Sequence, residues 1–209
     1  MSPKDHFDSL WNRCNELETL YNYLKTHVAE VVSLDEMLRA EWVARVSALD
    51  LYFHELVNQN LLKIFDGTKP ICPGFEKFTL SMGSVIRILN ATDSARRVNH
   101  FQIEVAEKIG LLTFQDPEKI ADGIRIISPI EFWNEIALSR GATQSQKSQH
   151  AKTIKRELSL IIQRRNKIAH EGDLQPGYPR IPWPIDYSQL QLVKIFIQNL
   201  VDSTQRLNI

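Results

Sequence analysis

Apolar residues spaced three and four apart dominate both ends of this chain. One such stripe runs from Asp5 to about Glu30, and a second runs from Ser33 to about Phe65. An α-helix turns once every 3.6 residues, so this spacing brings the apolar side chains to one face, where they can be buried. The pattern predicts two long amphipathic helices in the first third of the chain.

Capping residues mark where several helices begin. Ser33-Leu34-Asp35-Glu36 predicts the start of the second helix, and Ser128-Pro129-Ile130-Glu131 predicts a helix that ends near Arg140-Gly141. Asp186-Tyr187-Ser188-Gln189 predicts the start of the last helix. In each string a short side chain can accept a hydrogen bond from an amide of the first helical turn.

Glycine and proline delimit the helix that precedes the last one. This helix is predicted from about Gln144 to Glu171, and Gly172 is expected to end it, because glycine readily adopts the left-handed conformation of a helix end. The prolines from Pro176 to Pro184 keep the following segment extended, since each proline fixes its own backbone and restricts the residue before it. We refer to residues 176–184 as the proline segment.

The middle of the chain gives weaker signals. Phe75 to Asn90 predicts one or two short helices, and Ala95 to about Leu112 predicts a longer one. Ile124 to Ile127 has the composition of a short strand, but it has no obvious partner and is assigned to a loop or helix-flanking segment. The prediction is therefore an all-α bundle, one domain over residues 1–209, with an insert of short helices at about 66–140.

Composition excludes several classes of protein. No run of about 18 apolar residues occurs, and the first residues lack the apolar core of a signal peptide, so we expect a cytoplasmic protein without a membrane span. Cys14 and Cys72 stand far apart outside any metal-binding spacing, so neither structural zinc nor a disulfide is expected. No metal or cofactor site is predicted.

Charge is distributed unevenly although the net charge is zero. Between Arg140 and His170 the chain carries eight cations and one anion. This excess favours contact with phosphates, although a solvated helix face would look the same.

Arg165 lies in the middle of an apolar face of this basic helix. On a helical wheel the apolar residues from Ile154 to Ala169 occupy an arc of about 120° around it. An always-charged guanidinium in that position implies an anionic partner, a wet cleft or a functional pocket. His170 lies about 140° away from Arg165, so the two can meet only if the helix unwinds before Gly172 or if a symmetric second subunit contributes. A histidine at a helix C-terminus can also simply stabilise the helix dipole.

The string Arg165-Asn166-Lys167-Ile168-Ala169-His170 resembles the Rx4-6H signature of the HEPN superfamily, including the polar residue directly after the arginine. Residues 38–43 and 48–56, with Gly172-Asp173 and the proline segment, look like the RiboL-PSP-HEPN subgroup. The resemblance covers both ends of the chain and leaves residues of about 66–140 unmatched.

This resemblance implies a helical homodimer with a composite cleft that acts as a metal-independent endoribonuclease, commonly in toxin–antitoxin or antiphage systems. His170 would then transfer protons, Arg165 would stabilise charge on the phosphoryl oxygens, and Asn166 would orient the histidine or a phosphate. The partners would be RNA, a second copy of the chain, and an antitoxin or defence protein.

Four further residues are candidates for substrate binding. Arg164 and Lys167 neighbour the signature, and Asp50 and His54 form an i, i+4 pair on the second helix that could line the same cleft or be purely structural. The alternative function is a non-catalytic HEPN module that binds a nucleotide, a nucleic acid or a partner protein.

Overall fold

A computed structural model describes residues 1–28 and 33–209 of the chain. Within these ranges the protein is all-α, as predicted, with nine helices and no strand. The helices are α1 (Pro3–Val28), α2 (Asp35–Phe65), α3 (Pro73–Glu76), α4 (Met82–Leu89), α5 (Ser94–Gly110), α6 (Pro117–Ile127), α7 (Phe132–Ser139), α8 (Lys147–Glu171) and α9 (Tyr187–Arg206). The predicted end of the first helix near Glu30 lies outside the described residues.

Helix α2 is the centre of the bundle. It contacts α1, α5, α6, α8 and α9, so it is buried on most of its sides. The predicted stripe that contains Trp42, Leu49 and Phe53 is buried. Each buried apolar side chain of this kind contributes about 1.5–3 kcal/mol, which makes α2 the main source of hydrophobic stabilisation.

A buried arginine joins α2 to α1. Arg45 is fully buried and donates to Glu41 Oε1 at 2.7 Å, to the Trp11 carbonyl at 3.1 Å and to Asn15 Oδ1 at 2.8 Å. A buried guanidinium is tolerated only when it is paired and hydrogen-bonded, and these contacts meet that condition.

One predicted helix start is displaced by one residue, and another is wrong. Helix α2 begins at Asp35 with Leu34, not Ser33, at the capping position, and Ser33 Oγ accepts a hydrogen bond from the Asp35 amide at 3.4 Å. Ser128 does not start a helix, because it follows the last turn of α6, and α7 begins only at Phe132.

The residues Ile124 to Ile127 form the last turn of α6 and not a loop. The Asp116 side chain accepts hydrogen bonds from the first amides of that helix, and Pro117 follows it as the first helical residue. Ile120, Ile124 and Ile127 are then all buried at helical spacing. Core packing therefore decides a segment whose β-branched composition pointed elsewhere.

Helix α8 is covered less completely towards its C-terminal end. It packs on α7, α2 and α6, and its residues Ile154, Leu158 and Ile162 are buried. Past Ile162 the inward face is less covered: Ile168 is only half-buried and Ala169 is exposed. The apolar face of α8 is thus partly uncovered in its last turns.

None of the described helices is long and apolar enough to cross a lipid bilayer.

Candidate active site

The end of α8 has the predicted glycine stop. Gly172 adopts the left-handed conformation with φ at 62°, and Asp173 follows with φ at 56°. The Asp173 amide donates to the Lys167 carbonyl at 2.9 Å. Asp is one of the few residue types that tolerate this backbone region, so the chain can reverse directly after the helix.

Asp173 is fully buried between two arginines. Its Oδ2 accepts from Arg39 Nε at 3.0 Å and from Arg164 Nη2 at 2.6 Å. Both arginines also reach the proline segment: Arg39 Nη2 donates to the Trp183 carbonyl at 2.7 Å, and Arg164 Nη2 donates to the Pro184 carbonyl at 3.0 Å. This Arg39–Asp173–Arg164 cluster ties the start of α2, the end of α8 and the proline segment together.

The Nη2 atom of Arg164 is therefore already hydrogen-bonded within the chain. The side chain is about one-fifth exposed, and its contacts with Asp173 and two backbone carbonyls form within one chain. Its predicted role in substrate binding stays a prediction, and the contacts seen here favour a role in holding the site.

Arg165 is half-buried on the inward face of α8, where the sequence pattern places it. Its Nη1 donates to Asn166 Oδ1 at 3.0 Å. Its Nε is buried and has no hydrogen-bond partner among the described residues. Asn166 thus restrains the arginine, and its expected role in orienting the histidine or a phosphate stays a prediction.

His170 is exposed in the last turn of α8 and lines an open groove of about 630 Å³. The other residues of this groove are Lys167, Glu171, Leu174, Gln175, Pro176 and Arg180. Lys167 is exposed and lies over the Trp183 ring, 5.6 Å from its centroid. With two cations and one carboxylate beside the imidazole, the groove can receive an anion.

Arg165 and His170 point to different sides of α8. The helix is continuous through Glu171, so the unwinding considered as one way to bring them together does not occur. At 100° per residue their directions differ by about 140°. Within one copy of the chain the two side chains are therefore not brought together, and a contribution from a second copy stays a prediction.

Asp50 and His54 lie far from this groove. Asp50 accepts hydrogen bonds from the Phe114 amide at 2.6 Å and from Gln115 Nε2 at 3.1 Å. The His54 ring packs edge-on against Phe114, with centroids 4.7 Å apart. Both residues therefore hold the connection between α5 and α6.

The separation can be judged along the helix axes. Trp42 Nε1 donates to the Ile161 carbonyl at 3.2 Å, and α2 and α8 run antiparallel at this crossing. Asp50 lies eight residues beyond Trp42, and His170 lies nine residues beyond Ile161 in the opposite direction. At 1.5 Å per residue, Asp50 and His170 are roughly 25 Å apart along the axes.

Sequence reasoning missed Arg39 and Asp173 as a unit. They are 134 residues apart, and no local pattern connects them. Both residues stand in strings that resemble the RiboL-PSP-HEPN subgroup, but that resemblance assigned them no contact with each other.

No three histidine, cysteine, aspartate or glutamate side chains come together as a metal site would require, within residues 1–28 and 33–209. Metal independence of any reaction stays a prediction.

A known protein family matches nearly the whole chain. The family model described as RiboL-PSP-HEPN matches residues 8–207, nearly the whole chain and including the middle region that the sequence analysis left unmatched. No curated protein and no solved structure matches the chain.

Proposed function

The chain belongs to the RiboL-PSP-HEPN family, and from this premise we propose that it is a metal-independent endoribonuclease with Arg165 and His170 as its catalytic residues. One observation carries the proposal. The arginine and histidine of the signature lie at the same end of α8, where His170 is exposed in a groove with two cations and Arg165 is restrained by Asn166.

The reaction needs a group that moves protons near neutral pH. The ribose 2′-oxygen forms a bond to the adjacent phosphorus while the bond from phosphorus to the 5′-oxygen breaks, which gives a 2′,3′-cyclic phosphate and a 5′-hydroxyl. One proton leaves the 2′-hydroxyl and one is delivered to the 5′-oxygen. Histidine is suited to both transfers, and the exposed His170 can reach a bound strand.

Negative charge increases on the phosphoryl oxygens as the bonds change. A guanidinium stabilises such charge with paired N–H donors in one plane. Arg165 retains donors for this purpose, since only Nη1 has a partner, Asn166, among the described residues. Restraint by Asn166 lowers the entropy that the arginine loses when it binds a phosphate.

We place the complete site between two copies of the chain. Arg165 and His170 of one copy diverge by about 140°, so a single helix does not direct both at one phosphate. In a twofold dimer with α8 ends side by side, the histidine of one subunit and the arginine of the other converge. The partly uncovered face at Ile168 and Ala169 supports such a contact.

A role as a toxin or antiphage effector, held in check by an antitoxin or a trigger, belongs to the same proposal. The alternative is a non-catalytic module that binds a nucleotide, nucleic acid or partner protein through the same groove. The divergence of Arg165 and His170 favours that alternative if the protein is a monomer.

The deciding experiment is cleavage of single-stranded RNA in EDTA by the purified protein, followed by analysis of the product ends. We expect cyclic phosphates from the native protein and no cleavage by Arg165→Ala or His170→Ala. His150→Ala and Arg97→Ala are the matched controls, because each removes an exposed residue of the same type that does not line the groove; His150 lies on α8, 20 residues before His170, and Arg97 lies on α5. Cleavage that survives in either signature variant would refute the proposed roles.

Mixing the two inactive variants tests the dimer. Half of the randomly exchanged dimers are mixed, and each mixed dimer has one intact pair, so about a quarter of the native activity should return. No recovery after demonstrated subunit exchange would refute a site that combines one arginine and one histidine across the interface.

A further inference from the structure

A continuous polar stripe follows the outer face of α8 over its whole length. At 100° per residue, nine residues fall within an arc of about 100° centred close to His170. They are Ser148, Gln149, Lys152, Arg156, Ser159, Gln163, Asn166, Lys167 and His170. All are exposed except Ser159, which is half-buried, and none is acidic or apolar.

The cations of this stripe are not neutralised within the chain. Lys155 pairs with Glu118 at 2.9 Å and Arg164 pairs with Asp173 at 2.6 Å, but both lie outside the stripe. Among the described residues, Lys152, Arg156 and Lys167 form no ion pair. Lys152 and Arg156 are also one turn apart, where like charges repel and weaken a helix. An anionic partner would remove this repulsion.

The composition of the stripe identifies the kind of partner. A helix that inserts into a membrane surface needs an apolar face, and the centre of a protein interface is usually apolar or aromatic. The stripe has neither. It alternates cations with hydroxyl and amide groups, which are the groups that contact phosphates and sugars of nucleic acids.

We propose that this stripe binds the backbone of single-stranded RNA and leads the strand to His170. This inference rests on the proposed endoribonuclease function. It specifies the path that the RNA substrate takes beyond the groove. Lys152 is 18 residues before His170, so the track extends roughly 27 Å from the groove at 1.5 Å per residue. The stripe is one helix face wide, which fits one strand and one row of phosphates.

Binding can be measured separately from cleavage. The probe is a labelled single-stranded RNA longer than the track, and its affinity is measured by fluorescence anisotropy over a range of salt concentrations. Both the reference protein and the test protein carry His170→Ala, so that the RNA stays intact. The test protein also carries Lys152→Gln and Arg156→Gln.

We expect the double substitution to weaken binding by roughly two- to thirtyfold, the range for two exposed ionic contacts. The slope of log affinity against log salt should become shallower by about 1.4, since each phosphate contact on a single strand contributes about 0.7. When Lys152→Gln and Arg156→Gln are made in the protein that keeps His170, they should lower kcat/KM for this long RNA more than kcat/KM for a tetranucleotide that fills only the groove.

Two control proteins make the result specific. Lys63→Gln with Arg97→Gln removes the same charge from exposed residues on α2 and α5, and should leave the affinity unchanged. Lys152→Arg with Arg156→Lys keeps the charge and should keep the affinity.

Unchanged affinity and salt slope in Lys152→Gln/Arg156→Gln, or equal loss in the α2/α5 control, would overturn the track. So would absence of any binding by the His170→Ala reference. RNA binding that depends on the stripe without cleavage by the native protein would instead refute the endoribonuclease and leave the track standing.

Discussion

Replacing Asp173 by alanine removes the carboxylate that joins α2, α8 and the proline segment. Asp173 has no exposed side-chain surface and accepts from Arg39 at 3.0 Å and Arg164 at 2.6 Å. The Arg39 side chain is 5% exposed. The substitution therefore leaves a buried positive charge with Glu36, which is largely exposed, and the Trp183 carbonyl as its remaining partners.

The cost follows from this environment. Breaking a buried ion pair from one side typically costs about 3–5 kcal/mol, because the other charge stays buried without compensation. Arg164 can turn to solvent and Arg39 keeps two contacts, so we expect the lower end, about 3 kcal/mol. For a chain of this size that loss lowers Tm by roughly 6–12 °C.

Urea and thermal unfolding followed by circular dichroism measure this loss. Asp122→Ala is the matched control: it removes an aspartate that also pairs with an arginine, Arg125, but with both side chains more than half exposed. Its cost should be at most about 1 kcal/mol. The loss of unfolding free energy in Asp173→Asn should lie between those of Asp173→Ala and Asp122→Ala, since one accepting oxygen remains.

Unfolding of Asp173→Ala at the same urea concentration as Asp122→Ala would show that the buried cluster does not stabilise the fold. We also expect a functional effect, because Leu174 and Gln175 of the groove follow Asp173 directly. Cleavage by Asp173→Ala should therefore be reduced even at temperatures where the protein is folded, and full activity would show that the cluster does not position the groove.

Two further predictions concern stability. Burial alone would raise the pKa of the Glu18 carboxyl, but hydrogen bonds from three side chains of α9, led by Lys194, lower it from 4.5 to about 2. A carboxyl whose pKa is lowered in the folded state contributes stability that is present above about pH 4.5 and is lost as the pH falls towards 2. Glu18→Gln should therefore reduce the loss of unfolding free energy between pH 4.5 and pH 2. An unchanged loss in this range would exclude Glu18 as its cause. At Gly74 a Cβ would lie 1.7 Å from the Arg125 carbonyl oxygen, so Gly74→Ala should cost about 1–3 kcal/mol in urea unfolding. Gly110→Ala meets nothing within 4 Å and should gain up to about 1 kcal/mol, so equal effects of the two would contradict this packing argument.

The sequence predicts a helix correctly wherever the spacing of apolar residues continues over many turns. The stripes of α1, α2, α8 and α9 each extend over many turns, so a few exceptions do not hide the period. Gly172 and Asp186 also confirm their predicted capping roles. These signals are local, because a cap bonds to amides of its own helix.

Short segments were harder to predict because several local signals competed. The string Ser128-Pro129-Ile130-Glu131 has the residue types of a helix start. However, Ile124 and Ile127 before it pack into the core as part of the last turn of α6. At Ser128 the burial of those isoleucines, which depends on distant helices, outweighs a cap worth about 1 kcal/mol.

Some features of the candidate site were likewise predictable from the sequence, and others depended on the fold. The sequence by itself determined that Arg165 and His170 lie on one helix that ends at Gly172, and that they face different directions, since helical geometry links residues four or five apart. Only the tertiary structure decided that Asp50 lies roughly 25 Å away from the groove along the helix axes, and that His54, one turn further along α2, lies farther still. It alone also decided that Asp173 is held by Arg39 and Arg164. The contact between Arg39 and Asp173 joins residues 134 positions apart and depends on how the helices pack as a whole, which no local period or spacing records.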